Sequence, residues 1–135
     1  MSDSTYDDVL IRRSLSPVAR TDGTDNGAGV DLGANGGTMT ASVCVVTGTI
    51  TDGSHVISVE ESADDSSYAA VAASNIQGTA PTLDSDDSDT QYEFGVRTNL
   101  RYVRVVAVTS SATTGGVFAA VVALGKCRQK PVSHA

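Results

Sequence analysis

TMTASVCVVTGTITDGSHVISVEE, residues 38–61, decides the fold class of this chain. In its first half Met39, Ala41, Val43 and Val45 alternate with Thr40, Ser42 and Cys44. A period of two places alternate side chains on opposite faces of a strand. The second half, His55 to Glu61, is rich in β-branched residues, and Asp52-Gly53 stands between the two runs. A DG pair there tolerates the positive φ of tight primed turns, so the stretch predicts a β-hairpin.

The pattern continues downstream. SADDSS (62–67) offers a turn in which Asp and Ser bond their own backbone, and YAAVAAS (68–74) completes a predicted three-strand meander. Residues 75–90, with Gly78, Pro81 and the acidic run LDSDDSD, read as loop. Strands resume at QYEFGVR (91–97), RYVRVVAVTS (101–110) and VFAAVVALG (117–125). A short helix is the alternative at the two Ala-rich sites, but their lengths and flanking Gly and Ser clusters favour strands. Recurrent turn signals and the absence of a fixed-period repeat predict an all-β chain, an antiparallel β-sandwich or jelly-roll-like barrel.

Upstream lies TDNGAGVDLGANGG, residues 24–37. Gly27, Gly29 and Gly33 loosely match a dinucleotide fingerprint, but such glycines follow a strand and open a helix, whereas these precede a strand pattern. Residues 26–31 also resemble one unit of a calcium β-roll, which requires stacked copies. The run Asp84, Asp86, Asp87, Asp89 lacks the Gly and Glu of an EF-hand at positions 89 and 95. The glycine stretch therefore reads as a joint, anchored by Asp31 and Leu32 and turned at Gly36-Gly37. Before it, VLIRRSLSPVAR (9–20) has short apolar pieces and Pro17, which removes a backbone donor and restricts Ser16, so it reads as an extended arm with room for one short strand. The expected organisation is an extended N-terminal arm (1–28), a β-sandwich domain (29–125) and a short basic C-terminal tail (126–135).

The formal charge is −7, which argues against a partner as acidic as nucleic acid. Its distribution is segregated: residues 21–96 hold thirteen acids and no Lys or Arg, and residues 97–135 hold six bases and no acid. No apolar run approaches a signal peptide's core or a membrane span, so the expectation is a soluble chain made in a cytoplasm, with no membrane contact. Cys44 and Cys127 lack metal-ligand spacing and read as free thiols.

Nothing assembles into a catalytic set. His55 is expected to be an exposed strand-end residue and His134 lies next to the last position. Glu60 and Glu61 are adjacent, so on a strand they face opposite ways and cannot act as a paired acid and base. The few aromatic rings sit mostly on predicted strands, where core roles outweigh sugar stacking. Tyr102, Arg104, Val106 and Val108 share a strand face. Arg104 is either a structural partner of Glu60, Glu61 or Glu93, or a contact with a neighbouring subunit.

GVDLGANGGTMTASVCVVTGTITDGSHVISVEESADDSSYAAVAASNIQGTAP followed by LRYVRVVAVTSSATTGGVFAAVVALGKCRQKP resembles head decoration (cement, auxiliary capsid) proteins of tailed bacteriophages. The likeness covers roughly residues 29–131, as an order of strands and turns with no chemical signature. It implies a non-enzymatic virion structural protein without cofactor, often trimeric, on the capsid exterior. Such a protein assembles in the host cytoplasm and bridges neighbouring capsomers of the major capsid protein. The alternative is a tail, neck or baseplate β-sandwich or a host-surface adhesion module. On the decoration reading, Arg12, Arg13, Arg20, Arg97, Arg101, Arg104, Lys126, Arg128 and Lys130 are the candidate capsid or inter-subunit contacts. The rival account of the charge segregation is internal pairing of the basic strand 97–104 with acidic strands.

Overall fold

The computed structural model describes residues 4–33 and 40–125. After a single helical turn (Thr5–Asp8) come eleven strands: β1 (Leu10–Arg20), β2 (Gly23–Asn26), β3 (Val30–Asp31), β4 (Thr40–Ile50), β5 (Ser54–Ser62), β6 (Ala69–Ala70), β7 (Ile76–Gln77), β8 (Thr82–Leu83), β9 (Gln91–Arg97), β10 (Tyr102–Ser110) and β11 (Gly116–Leu124). Sheet A has the order β1-β11-β4-β9-β7. Sheet B has the order β2-β10-β5-β6, with β3 also on β10 and β8 also on β5. Every pairing is antiparallel. The two sheets pack as a sandwich that is not closed into a barrel.

The five long strand predictions from residue 40 onward, the YAAVAAS segment excepted, are in place, and their alternation builds the core. Val43 and Val45 of β4, Phe118, Ala120 and Val122 of β11 and Val96 of β9 face Val103, Val105 and Ala107 of β10 and Ile57 and Val59 of β5. Apart from Phe118 these side chains are alanines or β-branched aliphatics, so the core rests on many modest contacts. Both Ala-rich segments are extended. YAAVAAS, however, keeps only two strand residues before Ala73–Asn75 turns into a 3₁₀ helix that carries the chain to sheet A.

Strand partners differ most from expectation. Residues 51–53 do not close a hairpin: β4 belongs to sheet A and β5 to sheet B. Three extended residues span about 10 Å, the spacing of packed sheets, so this turn works as a corner between layers. The chain changes sheet at nearly every connection, and β5–β6 is the one pairing of consecutive strands among the described residues.

The expected N-terminal arm is also corrected. Residues 10–20 form edge strand β1, zipped antiparallel onto the last strand from Leu10↔Leu124 to Arg20↔Gly116. Register shifts between Arg13 and Leu15 and between Leu15 and Val18 interrupt its alternation, and Pro17 falls inside the second. At a bulged sheet edge a missing N–H costs nothing, so Pro17 fits a strand that local periodicity conceals.

The glycine stretch is likewise part of the sheet. β2 and β3 follow the same edge of β10, and Gly27–Gly29 bulge between them. Ser14, at the first β1 bulge, enters this gap: its Oγ donates to Ala28 O (2.9 Å) and accepts from Val105 N (2.9 Å), while Ala28 N donates to Ser14 O (2.8 Å). A Cβ on Gly27 would overlap Ser14 Oγ and lie 2.6 Å from Val105 O, so glycine is required for the two sheets to meet at this edge. Asp31 and Leu32 do anchor the segment, through Arg101 and through burial. Gly36-Gly37 and the tail 126–135 lie outside the described residues.

Candidate functional site

Three sheet-changing corners meet at one end of the sandwich: residues 21–22, 51–53 and 111–115. Asp52 ties two of them together, its Oδ1 accepting from Gly115 N (2.7 Å), Thr113 N (3.1 Å) and Thr114 N (3.1 Å). Asp22 accepts from Ala112 N at 2.8 Å. Gly115 has φ +83° and its missing Cβ leaves room for the Arg20 carbonyl. Beneath the corner lies His55, expected at the surface but 0 % exposed. Its Nδ1 lies 2.8 Å from Thr109 Oγ1 and its Nε2 3.1 Å from Asp52 O. The carbonyl can only accept, so Nε2 donates to it, while the threonine hydroxyl, both donor and acceptor, satisfies Nδ1. The ring also stands edge-on to Phe118 at 5.2 Å.

Hydrogen bonds from the Gly115, Thr114 and Thr113 amides hold the Asp52 carboxyl below its ordinary pKa, against a smaller opposing desolvation. A depressed carboxylate contributes stability that is present above about pH 4, the unfolded value, and is lost as pH falls through the folded one. We expect Asp52→Asn to lower the urea midpoint at neutral pH and to flatten its fall as the pH drops below about 4, the unfolded value. An unchanged acid limb in this variant would remove Asp52 from the account.

The candidate basic residues take different roles. Arg20 is 5 % exposed and is a structural centre: Nη1 donates to Phe118 O (2.6 Å) and Val18 O (3.0 Å), and Nη2 to Ser16 O (2.7 Å). Burial lowers its pKa and Asp25, 3.5 Å from Nε, acts in the opposite direction. Arg104 pairs with Glu60, the residue directly opposite on β5, at 2.6 and 2.9 Å, and stacks 4.1 Å over the Tyr68 ring. Tyr68 in turn donates to Asp65, and burial with that bond raises its phenol pKa. Arg101 grips Asp31 in a bidentate pair of 2.8 and 2.9 Å, and this bond holds the Asp31 carboxyl low. Glu61 faces away from Glu60 and accepts from Thr98 Oγ1 at 2.5 Å.

Arg20 and Arg104 are thus committed inside the subunit. Arg13 and Arg97 are exposed, Arg12 is half-buried on β1, and Arg97 borders a shallow depression of about 230 Å³ with Thr40, Asn75, Thr98 and Asn99. Lys126, Arg128 and Lys130 lie outside the described residues. Asp52, Ser14 and Thr98 carry no local signal of these roles, because decisive partners are distant along the chain: Glu61 is 37 residues from Thr98, Gly115 63 from Asp52 and Val105 91 from Ser14. Among the described residues, no three His, Cys, Asp or Glu gather in a way that would hold a metal ion, and Cys44 is a free thiol. No helix among them is long and apolar enough to cross a membrane.

The remaining charges are distributed by end. The corner end carries Asp22, Asp52 and, from the loop that packs beside β4, Asp84, Asp86, Asp87 and Asp89, with Arg20 as its base. Arg12, Arg97 and Arg101 lie toward the opposite end, where the described chain leaves β11 at Gly125. Asp7, Asp8, Asp31, Glu60, Glu61, Asp64 and Asp65 lie toward that end as well, so among the described residues it is of mixed charge, with Arg101 paired to Asp31 and Arg104 to Glu60.

No family model matches the chain, and no curated protein matches it. Among solved structures it is similar to a chain in a structure of infectious bursal disease virus, Gx strain, with a TM-score of 0.47 and 13% identity over 91% of this chain. The chain spans 34% of that chain's length.

Proposed function

We propose that this chain is a non-enzymatic structural subunit of a tailed-phage virion, docking on the exterior of the capsid and bridging neighbouring copies of the major capsid protein. The observation that supports it is the uneven placement of cations: the corner end carries Asp22, Asp52 and the 84–89 loop with Arg20 buried, while Arg12, Arg97 and Arg101 lie toward the other end, among acids that include Asp31, Glu60, Asp64 and Asp65. Past Gly125, the last described residue on that side, the sequence continues with Lys126, Arg128 and Lys130 and no acid. The strand-and-turn resemblance to decoration proteins over residues 29–131 supports the same reading.

A rigid sandwich whose exposed arginines lie toward one end meets an acidic shell in a defined orientation and leaves the acidic corner loops, 84–89 among them, in solvent. Several weak patches sharing one footprint add by effective concentration, and binding the mature lattice alone stabilises that lattice by mass action. The test is binding of the purified chain to expanded heads. Arg97→Glu combined with Arg12→Glu is expected to weaken binding on the order of tenfold or more, with a reduced salt dependence. Asp86→Asn at the opposite end should leave binding unchanged. Equal binding by the arginine variant, or a handful of copies per virion instead of hundreds, would overturn the decoration role, the latter in favour of a tail position.

A further inference from the structure

We infer that the outer face of sheet A is a self-association surface whose partner is a second copy of this chain. The two outer faces of the sandwich differ in chemistry. Sheet B presents the Arg104–Glu60 pair under Tyr68, with Val56 and Val108 as one exposed apolar pair opposite each other. Sheet A presents Ile11 (57 % exposed), Val46 (49 %) and Val117 (36 %), with Ala119, Val121 and Ala123 of β11 among them and the polar Ser42 and Gln91 at its margin. The solvated face of an antiparallel sandwich is ordinarily polar, and a contiguous apolar patch marks a contact surface.

The register identifies the occupant. Arg13, Val121, Cys44 and Glu93 lie side by side on one rung across β1, β11, β4 and β9. The cation and the anion at its ends are three strand spacings apart, roughly 14 Å, too far to pair within one chain. Among the described residues neither Arg13 nor Glu93 forms an ion pair. A two-fold axis along the strands, between β11 and β4, exchanges the ends of the rung. It sets Arg13 against the partner's Glu93 and Glu93 against the partner's Arg13, over an apolar centre. This is the self-complementarity of an isologous dimer. The small residues on the face let two sheets approach to about 10 Å. Four strands by three rung intervals give a footprint of roughly 400 Å² per copy, about 800 Å² in total and below the ~1,000 Å² of a stable interface, so the dimer is weak and dissociates readily.

The inference concerns the free chain and stands apart from shell binding. Sedimentation equilibrium of the full chain, over a concentration series at low salt, is expected to show a monomer–dimer equilibrium that weakens as salt is added. Arg13→Glu alone and Glu93→Arg alone each place like charges at both symmetric pairs and should weaken the dimer at least about tenfold. Arg13→Glu with Glu93→Arg in the same chain should restore it. Both positions are exposed, and thermal melts establish that each variant is folded. A wild-type monomer at all concentrations, a mass of three chains, or a double variant no better than the single ones would overturn the inference.

Discussion

Deletion of residues 1–20 is expected to abolish folding. The segment supplies β1, which covers one edge of β11 along its whole length and buries Leu10 and Leu15, each 2 % exposed. Truncating a buried leucine alone costs about 2–5 kcal/mol. Ser14 and Arg20 leave with the strand, so Val105 N and the carbonyls of Ala28 and Phe118 lose their partners. Together these losses match or exceed the ~5–15 kcal/mol by which a domain of this kind is stable. The truncated chain should show no cooperative thermal transition and should expose apolar surface to a reporter dye. A soluble truncated chain that melts cooperatively near the full-length temperature would refute this and return residues 1–20 to the status of an arm.

Arg20→Ala is expected to cost about 3–5 kcal/mol, because one guanidinium joins three parts of the sandwich edge. It binds carbonyls of Ser16 and Val18 across the second β1 bulge, reaches Phe118 O on β11, and lies near Asp25 on β2. Its Cζ also sits 4.7 Å from the centroid of the Phe118 ring, whose other contact is the edge of His55. Arg20→Lys should recover less than half of the loss: an ammonium lacks the planar fork that serves several carbonyls and the face that stacks on an aromatic ring. Urea unfolding of the three proteins measures this. A loss below about 1 kcal/mol for Arg20→Ala would mean that the buried network is energetically idle.

The deletion also shows where local reading stopped. The long strands were legible because alternation is a property of neighbouring residues: Val43 and Val45 point inward wherever their strand lies. β1 escaped because two bulges and Pro17 break that alternation, and what holds the segment is β11, about a hundred residues away. His55 escaped for a related reason. Beside a turn it reads as exposed, and only the crossing of the 111–115 corner above it and the presence of Thr109 and Phe118 around it make it a buried, hydrogen-bonded side chain. Of the candidate contacts, Arg104 was readable as far as its three possible acids. The register of β10 against β5 selected Glu60.

Asp52-Gly53 marks the boundary between the two kinds of information. By itself the sequence determined that the chain turns there, that strands flank the turn, and which side chains share a strand face, since all of this follows from φ preferences and a period of two. Only the tertiary structure decided that the turn leads from one sheet to the other, that β1 is a strand along its whole length, and that the bulge at 27–29 leaves no room for a Cβ at Gly27. Turn residues set backbone angles over a few positions. The sheet that the next strand joins is set by which apolar faces bury one another, a sum over contacts distant in sequence that no local pattern contains.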